Sequence, residues 1–180
     1  MLSDAQIERW SRQILLPDVG GRGQLRLLGA RVGVLGDHPA AAAAVDLLRR
    51  AGVPIAPGVV PDDAEVVLDL DDRDAALPEA VARVPVVRGR AAGASGCVVT
   101  LVGRPCGRCA PSWAPRATAT DHLLADAARR VLASLVAAEV IRVLLARPEA
   151  GRRQTFDLDT GAFASDVLDG AGCPACGRRV

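Results

Sequence analysis

The hydrophobic positions of this chain recur with two periods, one typical of amphipathic helices and one typical of buried strands. A capping-box pattern at Ser3 and Gln6, followed by apolar residues at helical spacing, predicts a first helix over residues 3–14. Further helices are predicted over residues 24–28, 39–50, 74–83 and 121–145. Short apolar runs predict strands over residues 31–36, 65–70, 84–87 and 97–102.

The last third of the chain combines the longest predicted helix with a predicted hairpin. Residues 154–158 and 162–168 read as two strands joined across Asp159-Thr-Gly161. Because strands alternate with helices, we expect an α/β fold with a doubly wound, mostly parallel sheet that is covered on both faces. The expected apolar face of the long helix consists of Leu124, Ala127, Ala128, Val131, Leu135, Ala138, Ile141 and Leu145.

The composition is that of one ordinary globular domain. The chain has 180 residues, half of them hydrophobic, and a formal net charge of +1. A nearly neutral chain gives no reason to expect a nucleic-acid partner. Arg and Asp interrupt the longest apolar stretches, so we expect neither a signal peptide nor a membrane span. With two metal-type cysteine pairs and no export signal, we expect a cytoplasmic protein. All 22 basic residues are arginine, so no lysine is available to contact a phosphate.

Four of the five cysteines form two Cys-x-x-Cys pairs, Cys106 with Cys109 and Cys173 with Cys176. This spacing lets one turn present two thiolates to a tetrahedral cation, and four thiolates complete a structural zinc site. Iron in a rubredoxin-like site, a disulfide or redox pair, and chance remain alternatives. Cys97 lies in an apolar run, and we expect it to be a buried core thiol.

Several motifs, taken in the order in which they occur along the chain, resemble those of a known family. The motifs are Glu8-Arg-Trp-Ser-Arg-Gln-Ile-Leu-Leu-Pro17, Ala30-Arg-Val-Gly-Val-Leu-Gly36, Val66-Val-Leu-Asp-Leu-Asp-Asp72, Pro105-Cys-Gly-Arg-Cys109, Ala137-Ala-Glu-Val-Ile-Arg142 and Cys173-Pro-Ala-Cys-Gly177. This ordered set resembles the ThiF/MoeB family, the bacterial relatives of ubiquitin-activating enzymes. The resemblance spans nearly the whole chain.

The resemblance implies a Rossmann-like fold in a single domain over residues 1–180. Residues 1–30 would form N-terminal helices, 31–102 a shortened nucleotide-fold half, and 103–180 a half stapled by zinc on the two cysteine pairs. Family members are usually dimers that bind ATP and magnesium. They adenylate the C-terminal glycine of a small ubiquitin-fold protein.

The resemblance also implies roles for three residues. Arg12 matches the family arginine that reaches the ATP phosphates of the partner protomer, and a surface arginine on an amphipathic helix is the alternative. Asp72 matches the family aspartate that helps to hold magnesium, and a solvated acidic turn, in which Asp69 takes part, is its alternative. Gly36 stands where the family's nucleotide-contacting glycine turn begins.

The sequence departs from the family around this turn. Gly36 is followed by Asp37-His-Pro-Ala-Ala41, where side chains and a proline replace glycines whose backbone would approach a phosphate. The segment that would supply an acidic residue for the ribose is short and has none at 55–60. His38 reads as a polar surface residue in a turn, with an acid–base or metal role as the less favoured alternative.

Two functions follow from this reading. The favoured one is a degenerate, non-catalytic member that acts as a partner or scaffold for an active homologue, or for a ubiquitin-fold or peptide substrate. The other is an active ATP-dependent adenylyltransferase. We expect a homodimer, or a heterodimer with a ThiF/MoeB-like homologue.

Overall fold

The computed structural model describes residues 1–55, 58, 60–71, 81, 84–103 and 122–168. Both cysteine pairs, Asp72 and most of the predicted helix over residues 74–83 lie outside the described residues. The elements are α1 (Asp4–Ile14), α2 (Gly20–Leu28), β1 (Val32–Leu35), α3 (Ala40–Arg50), β2 (Val66–Asp69), β3 (Val86–Ala92), β4 (Ser95–Leu101), α4 (His122–Leu144), β5 (Arg152–Asp157) and β6 (Ala162–Val167).

The first helix begins at the predicted capping box. The Ser3 hydroxyl accepts a hydrogen bond from the backbone N–H of Gln6, and the Gln6 side chain accepts one from the Ser3 N–H. These two bonds satisfy donors that a helix start otherwise leaves without partners. Farther along α1, the Trp10 indole N–H donates to the Arg50 carbonyl at 3.0 Å, which fastens α1 to the end of α3.

The six strands form one sheet in the order β1-β2-β3-β4-β5-β6. Strands β1, β2 and β3 are parallel, whereas β3 to β6 form an antiparallel meander that ends in the predicted hairpin. Four strands, β1, β2, β3 and β5, therefore run in one direction, which agrees with a mostly parallel sheet. The six strands lie in sequence order, but a parallel bridge from Val32 to Ile55 adds a segment on the far side of β1, so the order reverses at β1 as it does in a doubly wound sheet.

Helices α3 and α4 pack against each other on one face of the sheet, and their apolar side chains join those of β1, β2 and β3 in the larger core cluster. The alternate residues of the strands point to the opposite face, where Val67, Val86, Cys97 and Val99 form a second cluster. Both faces thus carry a buried apolar layer, as alternation of side chains along buried strands requires.

The hairpin between β3 and β4 was missed in part. The predicted strand over residues 84–87 is only the beginning of β3, which continues to Ala92 and turns back at Gly93, where φ is +59°. Two charged residues, Arg88 and Arg90, interrupt the apolar pattern of this strand and make it look shorter than it is. Both are nevertheless buried.

The predicted buried face of α4 was wrong. Among its members only Ala128 is buried; Val131, Leu135, Ile141 and Leu145 lie at the border of the core, and Ala138 is exposed. The helix instead buries Ala128, Leu132, Ala133, Val136, Ala137, Val140, Val143 and Leu144. Apolar residues surround most of this helix, so its periodicity alone does not determine which side faces the sheet.

We predict that Gly96→Ala destabilises the fold by at least about 2 kcal/mol, because overpacking a rigid core costs about 1–3 kcal/mol. A Cβ at Gly96 would lie 2.2 Å from the ring of Phe156, its partner in β5, which is buried in the larger core cluster. Gly21→Ala in α2 is the matched control, since a Cβ there meets only the Leu2 side chain at 4.0 Å. Urea unfolding of both variants measures the difference, and equal midpoints would contradict this packing.

Candidate functional site

The ends of β1 and β2 meet at one corner of the sheet, which we call the strand-end corner and define by Gly36, His38, Leu70 and Asp71. The Leu70 N–H donates to the Leu35 carbonyl at 2.9 Å, and the His38 N–H donates to the Leu70 carbonyl at 3.3 Å. The two chains therefore remain hydrogen-bonded beyond the ends of their strands.

Gly36 is required at this corner for a reason within the fold. Its φ is +86°, and a Cβ at this position would lie 2.3 Å from both the Asp71 nitrogen and the Leu70 carbonyl carbon. Only glycine tolerates this combination of backbone angle and close backbone approach. Gly36 thus allows its own backbone to lie close to the chain that follows the neighbouring strand β2.

His38 lies in the turn between β1 and α3, and its side chain caps the helix. It is 5% exposed, so the expectation of a polar surface residue was wrong. Its Nδ1 accepts a hydrogen bond from the Ala40 N–H at 2.9 Å, while its carbonyl accepts one from the Ala41 N–H at 2.8 Å. Because Pro39 has no N–H, the first donors of α3 are already used within the chain.

A buried ion cluster adjoins the strand-end corner. Asp69, the last residue of β2, is 1% exposed. Its carboxylate accepts a 2.6 Å hydrogen bond from the Arg88 Nε. The Arg90 Nη2 lies 3.8 Å from the same oxygen, and the other oxygen accepts from the Asp71 N–H at 3.0 Å. Asp69 therefore belongs to the interior of the fold, and the interpretation of a solvated acidic turn fails at this residue.

Open α/β sheets usually bind ligands in a crevice at the carboxyl ends of their strands. Such a crevice opens where strand order reverses, so that neighbouring connections leave on opposite faces. Here a single parallel bridge joins Val32 to Ile55 on the side of β1 away from β2, so the order of the described segments reverses at β1. Across Gly33, the Val60 side chain covers β1, since a Cβ there would lie 2.9 Å from it.

Arg12 lies in the last turn of α1 and is exposed. Helix α1 buries none of its residues, and the apolar Ile7, Leu15 and Leu16 nearby are 47%, 82% and 52% exposed. The guanidinium is thus presented to solvent beside apolar side chains. The structure does not bring Arg12 into the buried ion cluster at Asp69.

The metal predictions fall on residues 72, 106, 109, 173 and 176, all outside the described residues. Within the part of the chain that the structure describes, no group of three or more His, Cys, Asp or Glu side chains is arranged to hold a metal ion. No described helix has the length and apolarity needed to cross a membrane.

Cys97 is a buried core thiol, as predicted. Burial raises the pKa of its thiol to about 12, while the nearby Arg153 lowers this pKa and Asp166 raises it. The thiol is therefore protonated at neutral pH and is a poor nucleophile. Arg153 and Asp166 form their own ion pair across β5 and β6, which lowers the pKa of the Asp166 carboxyl.

A second buried carboxylate, Glu139 of α4, was not identified as a structural centre. One of its oxygens accepts a hydrogen bond from the Thr100 hydroxyl at 2.8 Å. The other lies 3.6 Å from the Arg152 Nε and 3.7 Å from the Arg142 Nε. Glu139 thus joins α4 to β4 and β5, and its place in the Ala137–Arg142 motif has a structural explanation.

Sequence reasoning also missed Arg88 and Arg90. The available signal was two arginines separated by one residue in an otherwise apolar segment, together with an aspartate at the end of the preceding strand. Such a pattern places both guanidiniums on one face of a strand beside a carboxylate. Buried charges of this kind must be paired.

Comparison with known proteins identifies the architecture. No protein-family model and no curated protein sequence matches the chain. The crystal structure of E. coli MccB with MccA-N7isoASN superimposes with a TM-score of 0.70, covering 98% of this chain and 76% of that one at 13% identity. The chain has the MccB fold.

Two further structures agree. E. coli MccB with ATP superimposes with a TM-score of 0.68 over 94% of this chain and 75% of that one, at 14% identity. The heterocyclase TruD superimposes with a TM-score of 0.64 over 98% of this chain but 31% of its own, at 19% identity. An MccB-like fold is therefore established, whereas fold alone does not specify an activity.

We predict that Asp69→Asn destabilises the MccB-like fold by about 3–5 kcal/mol, because it removes the carboxylate that pairs with two buried guanidiniums. Asp63→Asn is the control: Asp63 pairs with Arg31 at 2.7 Å, but both side chains are more than half exposed. An exposed pair of this kind contributes about 0–1 kcal/mol. Thermal and urea unfolding should separate the two variants clearly. Equal losses of stability would exclude the assigned role of the Asp69 cluster.

Proposed function

We propose that this chain is a non-catalytic protein with an MccB-like fold that acts as a partner or scaffold in ThiF/MoeB-type chemistry. The observation that carries this proposal is the strand-end corner. There, Gly36 is packed against the backbone of Leu70 and Asp71, and His38 caps the first donor of α3.

Nucleotide binding would require groups that are already engaged or are missing. A phosphate at a helix start is held by free backbone N–H groups, but the Ala40 and Ala41 donors are used by His38. Asp37 places a carboxylate next to this position, and the chain has no lysine. Each lost hydrogen bond to a charged group costs about 1.5–3 kcal/mol. Several such losses would remove micromolar binding, which corresponds to about 8 kcal/mol.

The proposed partner is a second copy of this chain or a ThiF/MoeB-like homologue. Helix α1 offers a docking surface, because it leaves Ile7, Leu15 and Leu16 exposed beside Arg12. Clusters of exposed apolar residues commonly mark protein interaction sites. In such a complex, Arg12 would reach the active centre of the partner and place its planar guanidinium on phosphate oxygens.

The proposed substrate of the complex is a ubiquitin-fold carrier protein or a peptide. E. coli MccB has been solved together with MccA and, separately, with ATP. The second candidate function, favoured by this fold similarity, is an active adenylyltransferase. Arg12 and Asp72 would then contact ATP and magnesium, and Gly36 would adjoin the nucleotide.

We predict that the chain alone neither binds ATP in calorimetry nor catalyses ATP–pyrophosphate exchange with a carrier protein or peptide. Mixed with an active homologue, it should increase the exchange rate of that homologue. Arg12→Ala should abolish the increase, and Arg22→Ala, an exposed arginine of α2, should preserve it. Exchange by the chain alone that is lost in Arg12→Ala or Asp72→Ala would establish the active adenylyltransferase instead.

We also propose a structural zinc ion bound by Cys106, Cys109, Cys173 and Cys176. The donor set supports it, because four thiolates match the tetrahedral preference of zinc. Such a site would contribute to the stability of the fold and would have no role in the chemistry.

We predict one zinc ion per chain by elemental analysis and a lower melting temperature after chelation, because metal binding is coupled to folding. Cys106→Ser and Cys173→Ser should each lose the metal. Cys97→Ala should keep it, since Cys97 is buried in the sheet. A metal-free chain that is as stable as the metal-bound one would refute a structural zinc, and bound iron would replace zinc in the assignment.

A further inference from the structure

A second concave site lies at the opposite end of the parallel strands from the strand-end corner. Glu65 directly precedes β2 and Pro85 directly precedes β3, so the site adjoins the amino ends of these strands. Its volume is about 570 Å³, within the range of small-ligand pockets. The walls of this amino-end cavity are mainly apolar and include Val84, Pro85, Val143, Leu144 and Pro148.

Two opposite charges stand at the edge of the amino-end cavity. The Arg26 Nε donates to the carbonyl of Leu144, the last residue of α4, where a cation is favourable. The Glu65 Oε1 accepts from the backbone N–H of Arg31 at 3.3 Å. Each side chain is therefore held at one atom by a partner within the fold.

The remaining atoms of this pair face each other without a direct hydrogen bond. The Arg26 Nη2 and the Glu65 Oε2 are 3.9 Å apart, which exceeds hydrogen-bonding distance. Both side chains are partly exposed, with 52% and 35% of their surface accessible. The pair thus offers one donor and one acceptor side by side next to an apolar cavity.

This arrangement favours the binding of a neutral dipolar group over the binding of an ion. A free carboxylate would be attracted by Arg26 but repelled by Glu65. A protonated amine would be attracted by Glu65 but repelled by Arg26. The N–H and C=O of one residue in an extended peptide point to the same side and can form two hydrogen bonds with a facing acceptor and donor. Its apolar side chain would then be available to fill the cavity.

We propose that the amino-end cavity binds an extended peptide segment. One apolar side chain enters between Val84, Val143 and Pro148, while the N–H of the same residue donates to Glu65 and its C=O accepts from Arg26. The site uses neither Arg12 nor the strand-end corner, so it is independent of the function proposed above.

A strained residue in the wall supports a ligand site here. Ala146 lines the cavity and has a φ of +57°, in the left-handed region that glycine normally occupies at a helix end. The Arg147 N–H donates to the Arg142 carbonyl at 2.9 Å, which closes α4 around this residue. A side chain in this conformation is unfavourable, and such strain is concentrated at functional sites.

The test uses three small probes with the ¹⁵N-labelled full chain. N-acetyl-leucine N-methylamide presents a neutral blocked residue, N-acetyl-leucine a carboxylate, and leucine N-methylamide an amine. Chemical-shift titration should confine the changes to residues around 64–65, 84–85 and 143–148. The neutral probe should bind about tenfold more tightly than either charged probe, which is the factor expected for one hydrogen bond to a charged group.

Variants test the assigned contacts. Arg26→Met should weaken the neutral probe about tenfold, and Arg22→Met on the same helix should not change its affinity. Ala64→Leu should reduce binding by occupying the cavity. Equal affinity for N-acetyl-leucine would overturn the proposal in favour of an anion site. Shifts that spread over the surface, or binding that is unchanged by Arg26→Met, would also overturn it.

Discussion

The Asp69 carboxylate is buried at the end of β2, where Arg88 and Arg90 of β3 surround it. Burial of this carboxylate would cost much free energy if it were unpaired, and the two guanidiniums buried beside it offset that cost. The cluster lies between the last two parallel strands, where the parallel part of the sheet joins the antiparallel meander. It therefore fixes the position of β3, and with it the hairpin to β4 and the strands beyond.

The same corner supports the proposal that this MccB-like fold does not bind a nucleotide. The chain after β1 is bonded to the chain after β2, Gly36 brings the two backbones together, and His38 supplies the cap of α3. In contrast, the amino ends of β2 and β3 border a large cavity.

Much of the local structure followed directly from the sequence. The capping box at Ser3 and Gln6, the strand before Gly36 and the hairpin after α4 all depend on neighbouring residues, and the structure confirms them. Burial of Cys97 followed from the apolar run around it. The role of Gly36 did not follow, because it depends on Leu70 and Asp71 more than thirty residues later in the chain.

By itself, the sequence determined the positions of most helices and strands, the α/β class and the absence of lysine from any binding site. Only the tertiary structure decided which charged residues are buried and which side of α4 faces the sheet. From the sequence alone, arginines in a strand are expected at the surface. Only the folded structure shows that a carboxylate is buried beside them. The sequence of an almost uniformly apolar helix does not indicate which side packs against the sheet. Periodicity is a local property, whereas the burial of a charge depends on a partner that folding brings from a distant part of the chain.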